Sequence, residues 1–89
     1  MAKGFVYILR CLRGGRFYIG STSNVQRRLQ QHISGNVRAT RNIRPVILVF
    51  AQEYESFDLA RKIETKLKRF KRRDFIIKIL KDREIKLGR

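Results

Sequence analysis

Phe5-Val6-Tyr7-Ile8-Leu9 and Phe17-Tyr18-Ile19 are two short β-branched and aromatic runs, with Leu12-Arg13-Gly14-Gly15-Arg16 between them. Two such runs around a Gly-Gly step predict an antiparallel β-hairpin, because glycine takes the positive φ angles of a tight turn at no steric cost. With an even-length loop, Tyr7 and Tyr18 project from the same face of the sheet. A strict two-residue turn at Gly14-Gly15 sets Tyr18 opposite Cys11 and leaves Tyr7 about 13 Å along the strand. The two hydroxyls converge only if the loop is recentred.

Beyond the hairpin, Ser21-Thr22-Ser23-Asn24 offers several N-cap oxygens, and Val25, Leu29 and Ile33 recur at helical spacing before Gly35. This predicts a helix over 25–34. Residues 35–45 carry Gly, Asn, Arg and Thr, end at Pro45 and read as a basic loop. Val46-Ile47-Leu48-Val49-Phe50 is apolar enough for a strand buried on both faces, the expected centre of the sheet. Ser56 is a plausible N-cap for a second helix, whose apolar face is Leu59, Ala60, Ile63, Leu67 and Phe70 and which ends near Lys71. Phe75, Ile76, Ile79 and Leu80 mark a third, and Phe70 and Phe75 read as core. The expected architecture is α+β: a three-stranded antiparallel sheet flanked by helices in the order ββαβαα. Residues 1–89 read as one domain, with Lys81 to Arg89 charged enough to fray.

An 89-residue chain of 10.6 kDa is the length of one compact domain with a modest core. Twenty-two Lys and Arg against seven Asp and Glu leave a formal charge of +15. That excess repels itself in the folded state and points to a polyanion partner. The longest apolar stretches are strand-sized and far short of a bilayer span, so the expected partner is nucleic acid and not a membrane. No protein partner is readable. The single cysteine, Cys11, forms no intramolecular disulfide, and Met1-Ala2-Lys3 runs straight into a strand pattern, so the expected compartment is a reducing cytoplasm. Residues 1–52 contain nine basic side chains and no carboxylate. Any carboxylate chemistry must come from the second half.

Five residues stand out, each with an ordinary alternative. Tyr7 and Tyr18 share a sheet face, and their ordinary reading is that of half-buried strand tyrosines with hydroxyls in water, as most tyrosines in small sheets are. Arg28 and His32 are i, i+4 neighbours at the margin of the first helix's apolar stripe, where they could jointly address a phosphate. A lone histidine on a surface is more often solvated, and an arginine more often part of a basic face. Glu64 lies at the edge of the second helix's apolar face, half desolvated, and is the best-placed acid. Its ordinary reading is an ion pair with Lys68 or with Arg61, worth tenths of a kcal/mol.

Together these residues resemble the GIY-YIG nuclease family. Val6-Tyr7-Ile8 stands where the first motif falls, and Tyr18-Ile19-Gly20 is a literal copy of the second. Ser21-Thr22, then Arg28-Leu29 with His32 and Gly35, also fit. The match continues through Thr40, Arg44-Pro45, Leu48-Val49, Ala60, Glu64 and Lys66-Leu67-Lys68, and so covers residues 4 to about 80. The first motif departs at its glycine, which is Phe5 here, with Gly4 adjacent. The likeness extends to the nuclease domain of the bacterial excision-repair incision subunit and to the catalytic domain of homing endonucleases.

The resemblance implies a metal-dependent endonuclease, with a place in DNA repair or processing among the family's known tasks. Glu64 would hold one Mg²⁺ or Mn²⁺, a hard cation that uses few carboxylates. Tyr18, ahead of Tyr7, would orient or deprotonate the attacking water. Arg28 would pair bidentately with the phosphate, and His32 would hydrogen-bond the phosphate or a tyrosine hydroxyl. Arg27, Arg38, Arg41, Arg44, Lys68, Arg69, Lys71 and Arg72 are expected to contact the nucleic-acid backbone without reading sequence. The alternative is a non-catalytic basic module that binds nucleic acid on the same fold.

Overall fold

The computed structural model describes residues 3–70 and 72–86. Strand β1 (Gly4–Cys11) pairs antiparallel with β2 (Phe17–Thr22), with Tyr7 opposite Gly20 and Leu9 opposite Tyr18. The Cys11 N–H donates to the Arg16 carbonyl at 2.7 Å, so Leu12 to Gly15 form a four-residue connection. Gly14 and Gly15 take φ values of 82° and 68° at its end. The loop is therefore recentred relative to a two-residue turn. Tyr18 moves from Cys11 to Leu9, one pleat away from Tyr7 rather than two.

Strand β3 (Val46–Tyr54) pairs antiparallel with the other edge of β1, giving the order β2-β1-β3. The central strand is thus β1, and β3 is an edge, against the reading of Val46 to Phe50 as the centre. The physical reason is a register shift between Ile8 and Leu9, where Ile8 pairs with Phe50 and Leu9 with Leu48. A bulge at Val49 switches faces midway along β3, so an apolar run that looks buried on both sides serves one face and then the other. Val46 and Leu48 join the cluster of Tyr7, Leu9 and Cys11, while Val49, Phe50 and Tyr54 join the cluster of Val6 and Ile8.

Helices cover both faces of the sheet. On one face Val6, Ile8 and Ile19 pack against Ala60, Ile63 and Leu67 of α3 (Phe57–Arg69) and Ile76 and Ile79 of α4 (Arg73–Asp82). On the other, Tyr7, Leu9, Cys11 and Val46 meet Leu29 of α1 (Val25–Ile33) and Ile43. Each fully buried Val, Leu or Ile in these layers contributes roughly 1.5–3 kcal/mol of transfer free energy. Gly4 matters where β1 enters under α3: a Cβ there would lie 2.5 Å from the Phe57 Cα and 2.8 Å from the Ser56 carbonyl.

Three further departures bear on the site. The expected loop at 35–45 contains a short helix, α2 (Arg38–Arg41), that buries Val37 and Thr40. Phe70 is 52% exposed and packs tilted against Phe75 with ring centroids 5.7 Å apart, so it lies outside the core. The stripe of α1 is rotated: Ile33 is exposed and His32 is its buried residue. In the C-terminal stretch Ile85 is buried and its N–H donates to the Gln52 side chain at 2.8 Å; residues 87–89 lie outside the described residues. Among the described residues, no helix is long and apolar enough to cross a membrane.

Candidate active site

Tyr7 is 2% exposed at the middle of β1, and His32 of α1 is fully buried beside it. The Tyr7 hydroxyl and His32 Nε2 are 2.8 Å apart, and His32 Nδ1 is 2.7 Å from the Thr40 hydroxyl of α2. A neutral imidazole carries one donor and one acceptor nitrogen, and hydroxyls on both sides can supply the complement. The row Tyr7, His32, Thr40 is therefore hydrogen-bonded throughout, and no buried side-chain polar atom among the described residues is left without a partner. Burial, with the Arg28 charge second, pushes the His32 pKa down to about 4. The imidazole is neutral at physiological pH. Burial also pushes the Tyr7 phenol up to about 12, which keeps its proton in place.

Arg28 is one turn before His32 on α1. Its Nε donates to the Tyr7 hydroxyl at 3.4 Å and one Nη donates to Gln31 Oε1 at 2.9 Å. The hydrogen bond to Tyr7, ahead of the charge effects of both tyrosines, holds the guanidinium pKa above its ordinary value. Tyr18 is half-buried, with its ring 6.4 Å from that of Tyr7 and 5.2 Å edge-on from His32. The glycine of Tyr18-Ile19-Gly20 has a direct geometric reason. It faces Tyr7 across the strand pair, and a Cβ at position 20 would lie 2.5 Å from the Tyr7 Cζ.

Glu64 approaches from the opposite side of the sheet. Side chains alternate along a strand, so Tyr18 and Gly20 face α1 while Ser21 faces α3. The Ser21 hydroxyl donates to Glu64 Oε1 in a very short hydrogen bond. Lys68, one turn further along α3, forms an ion pair with Glu64 Oε2 at 2.6 Å, and its ammonium lies 5.8 Å from the centre of the Tyr18 ring. Because β2 is an edge strand, the two faces meet around its free side. Lys68 spans that corner from Glu64 to Tyr18. The ordinary reading of Glu64, an i, i+4 ion pair, is thus present, and the charge of the carboxylate is the smallest of the causes that raise the Tyr7 pKa.

The donor chemistry around Glu64 suits a hard divalent cation. One carboxylate, 18% exposed, sits beside one hydroxyl oxygen. No cluster of three or more His, Cys, Asp or Glu occurs among the described residues. An all-oxygen site with a single carboxylate fits Mg²⁺ or Mn²⁺, which keep most of their waters, and does not fit a zinc cage.

The five singled-out residues are brought together around β2. His32 touches a tyrosine hydroxyl, that of Tyr7. Among the cations, Arg27 borders the same depression as Arg28 and Ser21, and Lys68 lies in the site. Arg41 and Arg44 direct donors to the carbonyls of Gly35 and of Arg41 and Ile33, bracing the loop around α2, where Arg38 is exposed. Arg69 lies on the solvent face of α3 with Asp58 and Arg61, and Arg72 is the exposed N-cap of α4. Lys71 lies outside the described residues. Two contributors went unassigned in the sequence reading: Ser21, which hydrogen-bonds Glu64, and Thr40, which holds His32. Thr40 carried a usable signal as the only hydroxyl between Gly35 and Pro45.

The sequence model of the GIY-YIG catalytic domain matches residues 3–77. The chain is similar to a UPF0213 protein of Streptococcus pneumoniae, 44% identical over 71 residues, covering 79% of this chain and 71% of that one. A UPF0213 protein of Staphylococcus haemolyticus is 37% identical over 73 residues, covering 81% and 88%. The solution NMR structure of a UPF0213 protein from Bacillus halodurans is 36% identical, with a TM-score of 0.51 over 81% of this chain and 77% of that one.

Proposed function

The chain belongs to the GIY-YIG catalytic domain family, a nuclease family whose substrate is nucleic acid, and on that premise we propose that it is a divalent-metal-dependent endonuclease cutting DNA phosphodiesters, with a task in DNA repair or processing. The observation that carries the reading is the grouping of residues around one edge strand: Tyr18 on one face with Tyr7, His32 and Arg28 packed beside it, and Glu64 hydrogen-bonded to Ser21 of the same strand and joined to Tyr18 through Lys68. A pure binder of polyanions has no need of a carboxylate at that point amid 22 cations.

Hydrolysis requires an oriented water, neutralisation of the pentacovalent phosphate and help for the departing oxygen. Tyr18, the half-exposed tyrosine, would hydrogen-bond the attacking water and line it up with phosphorus. Arg28 would offer its fork of donors to the non-bridging oxygens, a geometry lysine lacks. Tyr7 keeps its proton and its place because His32 and Arg28 hold its oxygen, so His32 acts as a positioning residue. Glu64, with Ser21 beside it, would hold the Mg²⁺ or Mn²⁺. When bound, that ion supplies charge neutralisation on the phosphate and on the leaving oxygen.

A second reading, a non-catalytic nucleic-acid binder, draws on the 2.6 Å ion pair that engages Glu64 with Lys68. Plasmid nicking separates the two. Purified protein with supercoiled DNA and Mg²⁺ or Mn²⁺ should yield nicked circles, and Glu64→Ala should lose nicking while still retarding DNA on a gel. Binding without nicking in either metal would leave the second reading standing.

A further inference from the structure

A groove of about 490 Å³ runs from Tyr18 between the hairpin and the helices α3 and α4. Its cations are Arg16, Lys68 and Arg73, and among the described residues no carboxylate lines it. Its floor is apolar: Phe17, Ile19 and Ile76. The far wall is braced, because Arg73 donates to the Gly15 carbonyl at 2.8 Å and its guanidinium lies 5.1 Å from the centre of the Phe17 ring. At its near end the groove shares Tyr18 and Lys68 with the candidate active site.

Cations alone would suit any nucleic-acid backbone. The apolar floor asks for more, since a base pair inside a duplex presents phosphates and sugars to such a surface and keeps its base faces stacked. An unpaired nucleotide has a free π-face, and rings or guanidinium planes beside a basic groove are the usual platform for it. The volume falls in the range of sites that hold small ligands.

We propose that this groove is a subsite for one unpaired nucleotide next to the phosphodiester to be cut, which directs the enzyme to junctions between duplex and single strand. The proposal rests on the nuclease reading for its biological use, but its binding claim stands apart from cleavage. The phosphate of that nucleotide meets Arg16 and Lys68, its base lies over Phe17 and Arg73, and Tyr18 marks the boundary with the reacting group.

The test is fluorescence anisotropy in EDTA, where no cutting occurs, with a labelled blunt duplex and the same duplex carrying a three-nucleotide single-stranded overhang. The wild-type protein should bind the overhang substrate about tenfold more tightly, the scale of one stacked base. A 2-aminopurine at the first unpaired position should be quenched on binding. Phe17→Leu keeps the apolar contact with the core and removes the ring, and should abolish both the preference and the quenching. Arg16→Ala, at an exposed position, should weaken overhang binding more than blunt binding. Equal wild-type affinity for the two substrates, or a preference that survives Phe17→Leu, overturns the subsite. A protein that shows the preference but nicks nothing in Mg²⁺ or Mn²⁺ keeps the subsite and loses the nuclease reading.

Discussion

The Tyr7 hydroxyl lies 2.8 Å from Nε2 of a histidine that has no solvent exposure at all. His32 is thus part of the scaffold that holds Tyr7, and its protonation opposes folding. Its pKa is about 4 in the fold against an ordinary 6.5, because burial and then Arg28 oppose the charge. The unfolded chain binds the proton first as pH falls. The stability is therefore complete above pH 6.5 and is lost as pH drops from there towards 4, by up to about 1.4 kcal/mol per unit. Urea melts between pH 7 and 5 should show this slope, and His32→Gln should lack it. Parallel slopes in the two proteins would contradict the assignment.

Tyr7 is the mirror case at the alkaline end. Its phenol is raised to about 12, chiefly by burial, so the unfolded chain ionises first, and stability is kept below pH 10 and lost as pH rises towards 12. Absorbance at 295 nm should record one phenol titrating near pH 12 that is missing from Tyr7→Phe.

Gly20 faces Tyr7 directly, and any side chain there falls on the ring. Gly20→Ala should cost about 1–3 kcal/mol, the range for overpacking, measured by chemical denaturation. A change under about 0.5 kcal/mol, the level of an ordinary surface substitution, would show that the ring has room.

Lys68 engages one oxygen of Glu64, the carboxylate proposed to hold the cation. Because the ammonium is 45% exposed, the pair is worth at most about 1 kcal/mol. Lys68→Met should accordingly tighten Mn²⁺ binding by roughly two- to fivefold, read by isothermal titration. Glu64→Gln should abolish the Mn²⁺ isotherm; an isotherm unchanged in either variant would place the cation elsewhere.

Binding to duplex DNA should weaken steeply with salt, since contacts from Arg27, Arg28 and Lys68 and their neighbours release counterions. Four to six phosphate contacts correspond to a slope of log K against log salt of roughly −4 to −5. A slope shallower than about −2 would leave the +15 charge without its expected partner.

The hairpin, the helix at Val25 and the helix capped by Ser56 were legible because each rests on local chemistry: glycines with free φ, capping oxygens and 3.6-residue periodicity. The Asn24 side chain does accept from the Arg27 N–H, and Ser56 from that of Leu59. Val46 to Phe50 reads as the centre of the sheet, but the bulge at Val49 sends Val46 and Leu48 to one face and both Val49 and Phe50 to the other while Ile47 is exposed, and periodicity alone does not distinguish such a run from burial on both sides. His32 was placed at the margin of the core because α1 is judged by its aliphatic residues, whereas the fold buries its imidazole through two hydroxyl partners.

The sequence by itself determined the family, the α+β class and the identity of the chemically capable side chains, all of which follow from residue type and short-range order. Tertiary structure alone decided how those side chains meet. The four-residue turn that slides Tyr18 to Leu9, the α2 helix that lends Thr40 to His32, and the edge position of β2 that lets Lys68 reach from Glu64 to Tyr18 all depend on contacts between residues far apart in the chain. Local propensity carries no information about such contacts, because their energies arise only when the layers pack.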